Sequence, residues 1–438
     1  MERQKLIHED SERGIFRVHR SVFTAPAIVE QERQHIFDNC WLYLGHESEV
    51  AKPGDFRRRT VAGRPPFWVR GRDGKVRAFH NTCTHWGANV CRVDAGNADT
   101  FQCFYHAWTF DNCGELINVP DEAGYAPGFD KAELGLASPA RLESYRGLYF
   151  VSFNPQVVEV ASYLGGAKEY LDLILDQSEA GWEIVPGTQK YGVRANWKMF
   201  SLNSLDSYHV KPLHTTFFKY TQSLGPGEAQ PPLPDFPGAD GRSLALGNGH
   251  GVDLFAARDR ARPIANWHPI LGAETKEEIR AIRANLVKRF GEQRAYLMSN
   301  TNRLMLIYPN FALHDIAGIS LRYFDPSGPD AMDVTVQTLA PKNESAALRR
   351  RRLENFVSFL GPGGFAHPDD LEAMESAQTG FRAGGPEWID ASRGMRRVAT
   401  ALDENHVRSF WRQWLADVNQ NFPAAKTHVA LGTDNSSR

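Results

Sequence analysis

The sequence predicts an α+β protein of two domains, the first rich in β-structure and the second mixed. Three observations lead there. The chain has 438 residues, more than one typical domain needs. Residues 41–153 read as short apolar strands separated by turn residues. Beyond residue 156, apolar residues recur at helical spacing around short apolar runs.

Taken in order, residues 1–40 are expected to form a lead-in with one helix, whose apolar face is Ile28, Val29, Ile36 and Phe37. From Trp41 the pattern turns β-like: Phe67-Trp68-Val69 and Val76–Phe79 flank Arg72-Asp73-Gly74, an Asp-Gly hairpin signal. Strands continue to Leu148–Phe153, and Asn154-Pro155 ends the first domain, 41–155. In the second, 156–423, Thr275-Lys276-Glu277-Glu278 reads as a capping box opening a helix with the stripe Ile279, Ile282, Leu286 and Phe290. Leu304–Tyr308 predicts a short buried strand stopped by Pro309-Asn310. Leu353, Phe356, Val357 and Leu360 mark another helix, and Val407, Phe410, Trp411, Trp414 and Val418 a last one. Arg349–Arg352 read as a solvated helix face, open to a subunit contact. The tail 424–438 is small and polar, and is expected to be mobile.

Lys+Arg number 50 against 52 Asp+Glu, a net charge of -2, which leaves no general field for nucleic acid or acidic membrane. A 42% hydrophobic and 23% charged composition argues against disorder. No apolar run approaches a membrane span, and the charged first residues contain no signal-peptide core, so a cytoplasmic protein without nucleic-acid or membrane partners is expected. Five cysteines, an odd number, do not make a disulfide framework; they should be reduced or hold metal.

Two of them have histidine companions. Cys83-Thr84-His85 is followed, after 17 residues, by Cys103-Phe104-Tyr105-His106. Two thiolates and two imidazoles can saturate one ion or divide across two. A structural zinc site usually begins C-x2-C and ends in two histidines, whereas here each loop offers one Cys and one His. That suits a [2Fe–2S] cluster with two Cys on one iron and two His on the other. Neutral imidazoles in place of anionic thiolates raise its potential, so it can accept electrons from an ordinary ferredoxin. Cys40, Cys91 and Cys113 have no comparable partner and read as buried or spare thiols.

The stretch Cys83-Thr84-His85-Trp86-Gly87-Ala88 with Cys103-Phe104-Tyr105-His106-Ala107-Trp108-Thr109-Phe110 resembles the Rieske domain of aromatic-ring-hydroxylating oxygenases, α subunit. Trp86 stands where that family commonly has Arg, and Ala107 where it has Gly; neither is a ligand position. The resemblance spans roughly residues 20–420 and implies a β-rich Rieske domain followed by a catalytic domain with an antiparallel sheet flanked by helices.

A second constellation begins at Asn203-Ser204-Leu205-Asp206-Ser207-Tyr208-His209 and continues Val210-Lys211-Pro212-Leu213-His214. Asp206 and His209, three apart, would share a helix face, and Pro212 would end that helix and let His214 turn back. Two imidazoles need one carboxylate to complete the facial triad of a non-haem Fe(II) oxygenase, which leaves positions open for O2 and substrate. The pattern D-x2-H-x4-H resembles the mononuclear iron motif of the same family, whose third ligand is a distant Asp. By alignment this is Asp370 in Gly361–Asp370, with Asp369, Glu372 and Glu375 as competitors. The resemblance further implies that Asp206 bridges the iron ligand His209 to the cluster ligand His106 of a neighbouring subunit, that Asn203 lies near the iron, and that α subunits form a trimer, with or without β subunits. Leu202 departs from the family's frequent Glu or Gln before that Asn.

The implied function is the oxygenase component of a multicomponent dioxygenase: NADH electrons arrive through a separate reductase, with or without a ferredoxin, and both atoms of O2 enter an aromatic ring as a cis-dihydrodiol. No G-x-G-x-x-G follows a strand, in keeping with a nicotinamide site on another protein. Leu142–Leu148 and Asn248-Gly249-His250-Gly251 look similar to the benzoate and p-cumate branch, which implies an aromatic carboxylate substrate. A buried Arg would clamp it, Arg303 or Arg322, although a structural ion pair is the simpler reading of either. Pocket walls are expected from Leu202, Leu205 and Val210 beside the histidines, from Leu304, Leu306 and His314 with Arg303, and from Leu360 and Ala366 beside the acidic turn. The rival readings are a Rieske monooxygenase or demethylase with the same metals, and an electron carrier lacking the catalytic iron.

Overall fold

The computed structural model describes residues 5–228, 241–257 and 266–419. The tail 424–438 and the end of the second domain at 423 lie outside the described residues. The chain opens with a hairpin that the sequence pattern does not signal: β1 (Ile7–Asp10) pairs antiparallel with β2 (Ile15–His19). The expected helix comes next as α1 (Pro26–Glu32), with Pro at its start, where a missing N–H costs nothing. A wider turn, Arg33–Phe37, continues it, and Ile28, Ile36 and Phe37 are buried.

Ten short strands come after it, β3 (Leu42–His46) through β4 (Asp55–Arg58), β5 (Phe67–Arg70), β6 (Val76–Phe79), β7 (Ala95–Asn97), β8 (Thr100–Gln102), β9 (Thr109–Asp111), β10 (Leu116–Asn118), β11 (Arg141–Tyr145) and β12 (Leu148–Ser152). The described residues arrange them as three sheets, β6-β5-β4-β7, β10-β9-β8 and β11-β12-β3. The Asp-Gly hairpin forms as expected, with Gly74 at φ +79 and the Gly71 N–H donating to Lys75 O. Phe56, Phe67, Phe79, Phe101, Trp108 and Phe110 make a core of their own under the Cys/His loops. The β11-β12-β3 sheet belongs instead to the main core, with Tyr43 stacked on Phe311 at 4.1 Å. It therefore joins the small β-unit to the second part of the chain.

The second part runs α2 (Val160–Leu164), α3 (Ala167–Leu175), β13 (Trp182–Val193), α4 (Trp197–Asn203), α5 (Val210–Leu213), α6 (Thr215–Ser223), β14 (Gly241–Gly247), β15 (His250–Ala256), α7 (Lys276–Asn300), β16 (Thr301–Ile307), β17 (Phe311–Asp315), β18 (Ile319–Gly328), β19 (Ala331–Pro341), α8 (Ala346–Leu360), α9 (His367–Arg382), β20 (Trp388–Asp390) and α10 (Asn405–Val418). Its strands form an antiparallel sheet, ordered β13-β19-β18-β17-β16-β15-β14 among the described residues. β20 returns to pair with β2, tying the C-terminal region to the opening hairpin.

The register decides which side chains share a face. Leu304 pairs with His314, Leu306 with Ala312, and Ala312 with Arg322. Side chains alternate along a strand, so Leu304, Leu306, His314 and Arg322 point to one side. Arg303 and Asp315, themselves paired, point to the other.

Three local expectations are corrected. Thr275 and Glu278 do not form a capping box: the Thr275 hydroxyl donates backward to Leu271 O, and the Glu278 carboxylate accepts from Ser345, which caps α8. On α8, Val357 is exposed, and the buried face is carried by Leu348, Arg352, Asn355, Phe356, Phe359 and Leu360. Arg349–Arg352 are no uniformly solvated face, because Arg352 is buried and donates through two nitrogens to Glu344. Arg349 and Arg351 pair with Glu183 and Glu274. Among the described residues no helix is long and apolar enough to cross a membrane.

α1, α4 and α10 meet at Glu32. Its fully buried carboxylate accepts from Lys198 Nζ, from Trp197 Nε1 at 2.8 Å and from Trp414 Nε1 at 2.7 Å. Glu32→Ala strands a buried ammonium and should destabilise by about 3–5 kcal/mol. Pairing it with Lys198→Met should recover much of the loss. Thermal unfolding of the two variants checks this, and an unchanged midpoint for Glu32→Ala would refute the role given to the pair.

Candidate functional site

The two Cys/His loops are built alike. In the first, the Cys83 N–H donates to Ala88 O and the Gly87 N–H to Cys83 O; in the second, the Cys103 N–H donates to Trp108 O and the Ala107 N–H to Cys103 O. Equivalent positions turn left-handed, Gly87 at φ +77 and Ala107 at φ +56. A left-handed turn favours Gly, and Ala at 107 costs about 1 kcal/mol. Cys83 and Cys103 are buried, while His85 and His106 are half-buried with ring centroids 4.5 Å apart. His85 stacks on Trp108 at 4.7 Å. Its Nδ1 is buried without a partner, a nitrogen free to ligate. Two buried thiols beside two adjacent imidazoles are a donor set that fits a [2Fe–2S] cluster with two Cys and two His. Around the imidazoles, Trp86, Phe104 and Tyr105 are exposed, and the Trp86 ring lies edge-on to His106 at 5.3 Å.

His209, His214 and Asp370 are placed so that together they could hold a single metal ion. Nε2 of both imidazoles lies 3.3 Å from Asp370 Oδ1, and the Asn203 side-chain amide donates to the same oxygen at 3.2 Å. Three donors at right angles about a divalent ion, each roughly 2.1 Å from it, would stand about 3 Å apart, so the residues present fit a metal. The local path differs from the expected shared helix face. α4 ends at Asn203, and Asp206 and His209 occupy the turn before α5. There Asp206 Oδ1 accepts the Tyr208 N–H at 2.7 Å, and Oδ2 lies 3.0 Å from His209 Nδ1. Pro212 lies within α5, and His214, at ψ +34, breaks the chain between α5 and α6 and turns inward.

Burial opposes charge on both partners, yet the pairing outweighs it. The imidazoles hold Asp370 well below the usual carboxylate range, and Asp206 and Asp370 push His209 up to about 9 against the desolvation that would lower it. Asp370 is in the first turn of α9, where a helix favours negative charge. Among its competitors, Asp369 is half-exposed and 3.6 Å from Nδ1 of His214, Glu375 is taken by Arg194, and Glu372 is exposed.

The expected pocket residues divide. Leu304, Leu306 and His314 share the sheet face beneath α4, with His314 Nε2 3.1 Å from Ser204 O. Leu205 is core, packed over Gly251, and Leu360 and Ala366 are buried. Leu202 and Val210 are half-buried next to the turn. Arg303 is removed from this wall, because it lies on the opposite sheet face and donates to Asp315, Met298 O and Thr301. Phe359, which the sequence pattern does not single out, faces the His214 ring at 6.0 Å. Tyr191 escapes the sequence pattern as well, while His367 stands in the Gly361–Asp370 stretch without aligning with a ligand; their rings meet at 4.6 Å, and nothing local in either segment signals so distant a neighbour.

The two branch-like segments serve the fold. Arg146 and Gly147, both with positive φ, make the two-residue turn between β11 and β12, and Tyr145 and Arg146 bind Asp172 of α3. His250 lies 2.8 Å from Tyr163 O through Nε2 and accepts the Tyr308 N–H through Nδ1.

Residues 40–143 match the family profile of the Rieske [2Fe-2S] domain, and residues 163–420 that of the ring hydroxylating alpha subunit, catalytic domain. Toluate 1,2-dioxygenase subunit alpha of Pseudomonas putida is 35% identical over 405 residues, 91% of this chain and 86% of that one. The 2-halobenzoate 1,2-dioxygenase large subunit of Burkholderia cepacia is 32% identical over 405 residues, 92% and 85% of the two chains. Among solved structures, naphthalene 1,2-dioxygenase with indole bound superposes with a TM-score of 0.80 at 26% identity, over 95% of this chain and 94% of that one.

Proposed function

The chain belongs to the ring-hydroxylating α-subunit family, and from that premise we propose that it is the oxygenase component of a multicomponent dioxygenase acting on an aromatic carboxylate. The arene, O2, two electrons from NADH and two protons would give a cis-dihydrodiol. The observation that carries this reading is the meeting of His209, His214 and Asp370 at single-ion spacing in a chain that also holds the paired Cys/His loops. The same meeting favours an enzyme over a bare electron carrier. Relatives named for toluate and 2-halobenzoate dioxygenation support both the acid substrate and the entry of two oxygen atoms.

In this reading residues 41–155 form the cluster domain, with Cys83, His85, Cys103 and His106 as ligands, and residues 156–423 form the catalytic domain, with His209, His214 and Asp370 as ligands. When bound, the cluster supplies single electrons and the mononuclear iron supplies open positions for O2 beside the ring. The chain's own residues do the rest. Asp206 fixes the His209 proton on Nδ1, leaving Nε2 free for metal. Asn203 orients Asp370. The buried aliphatic wall of Leu304, Leu306 and Leu360 excludes water. The exposed aromatic rim of Trp86, Phe104 and Tyr105 suits a protein partner, here a neighbouring α subunit in a trimer, with β subunits as a further layer, and a reductase or ferredoxin bringing electrons in the cytoplasm. Asp206, partly exposed, would reach His106 of a second copy across that contact.

The test is to purify the oligomer, count iron, and identify products from benzoate, 4-methylbenzoate and p-cumate with NADH and a reductase. Three irons per chain and dihydrodiols are expected. A phenol or released aldehyde would assign a monooxygenase, and two irons without turnover a carrier.

A further inference from the structure

Every deeply buried arginine raises the question of where its charge is answered. Arg59 holds Glu49, Arg303 holds Asp315 and Arg352 holds Glu344, while Arg408 donates to the Ala391 and Arg393 carbonyl oxygens. Arg322, only 2% exposed, holds no carboxylate among the described residues. Its one protein acceptor there is His314 Nδ1 at 3.4 Å, and its Nε has none. The Phe200 ring faces the guanidinium at 5.3 Å and closes one side without accepting a directed hydrogen bond. A guanidinium out of water, with five donors and no counter-charge, is among the costliest arrangements a fold can keep.

Its neighbours are unsatisfied too. The Tyr191 hydroxyl, both ring nitrogens of His367 and the Ser320 hydroxyl are buried without partners. Ser320 pairs with His314 on the same sheet face. Tyr191 and His367 touch, and both feel the charges of Arg322 and Asp370. Burial, reinforced by Arg322, keeps His367 low, at about 4, and therefore neutral, so the cluster's positive charge is the arginine's alone.

The position is beside the iron triad. His314, in contact with Arg322, reaches Ser204 O, next to Asn203, whose amide holds Asp370. His367 opens the helix whose first turn carries Asp370.

We propose that Arg322 anchors the carboxylate of the aromatic acid, with Tyr191 as a second donor, and so orients the ring toward His209, His214 and Asp370. This rests on the oxygenase reading above. A carboxylate answers the guanidinium bidentately, which a neutral arene cannot do. Arg303, the other candidate in the sequence, is excluded by its partner and by its sheet face.

The experiment compares benzoate with toluene, the same ring without the charge, in wild-type holoenzyme and in Arg322→Met and Arg322→Lys. Iron content and the Rieske spectrum serve as controls for folding. The kcat/KM for benzoate should fall by about 100-fold or more in Arg322→Met, chiefly through KM, since one partner of a buried charge pair is gone. The ratio of benzoate to toluene turnover should fall with it. Arg322→Lys, which keeps the charge and loses the fork, should lie between. Unchanged benzoate kinetics in Arg322→Met, or an equal loss on both substrates, would overturn the anchor while leaving the oxygenase reading in place. Loss of iron or cluster from both variants would make Arg322 a structural residue and also overturn it. A wild-type enzyme that turns over toluene but no benzoate would remove the aromatic-acid reading, and the anchor with it.

Discussion

Asp370→Ala should leave the protein without mononuclear iron and without product, while the Rieske absorption and EPR signals persist. The Asp370 carboxylate is the anionic donor at the point where both imidazole Nε2 atoms converge. Without it two neutral imidazoles remain, and the metal loses both a ligand and its nearest negative charge. Product formation should drop by at least about 1,000-fold, the scale expected when an irreplaceable catalytic group is removed. His209→Ala and His214→Ala should behave alike. Asp369→Ala is the sharper control, because its carboxylate is 3.6 Å from the other nitrogen of His214 and half-exposed. Losing such an outer partner should cost about 10-fold. Iron analysis per chain, with product quantified on the same samples, checks the set. If Asp369→Ala loses the iron and Asp370→Ala keeps it, the ligand moves by one residue.

Asp206→Asn should separate electron transfer from metal binding. The wild-type carboxylate accepts the Tyr208 N–H with one oxygen and lies against His209 Nδ1 with the other. Asn keeps one acceptor oxygen, and the Tyr208 N–H can hold it. The amide group then presents N–H donors toward an imidazole N–H and removes the charge that supports it. Both metals should stay largely bound, and the reductase should still reduce the cluster. Reoxidation of prereduced cluster by substrate and O2, followed by stopped flow, should slow by about 100-fold, and product should fall with it. Asp206→Ala should also loosen the oligomer, since the bridge to a second copy would be gone. A wild-type reoxidation rate in Asp206→Asn would end the bridge idea and return Asp206 to the role it visibly plays, an Asx-type turn.

Much of the fold was legible because its signals are short-range. The Asp-Gly hairpin, the last amphipathic helix and the paired Cys/His loops each rest on residues within a few positions of one another. The resemblance joined them and singled out Asp370 from its neighbours. Two expectations failed because a partner outside the local pattern had intervened, and a third because the local backbone took another path. Thr275 and Glu278 have capping-box chemistry, but Glu278 is claimed by Ser345 of another helix. Arg352 reads as solvated until Glu344 is seen beside it in a buried pair. Asp206 and His209 have helix spacing, yet a turn brings them together by a different route.

The sequence by itself determined which donor types are present, in two loops and one histidine motif, because such motifs are a matter of local spacing. Strand alternation puts Arg303 and Leu304 on opposite faces, which an expected pocket wall holding both of them did not take into account. Only the tertiary structure decided which of those faces looks toward the metal, and therefore that Arg303 is bound to Asp315 while Arg322 is left without a carboxylate beside the site. The reason is physical. Alternation has a period of two and carries no sign; the sign comes from which face the α4 and α9 helices cover, through contacts between residues far apart in the chain.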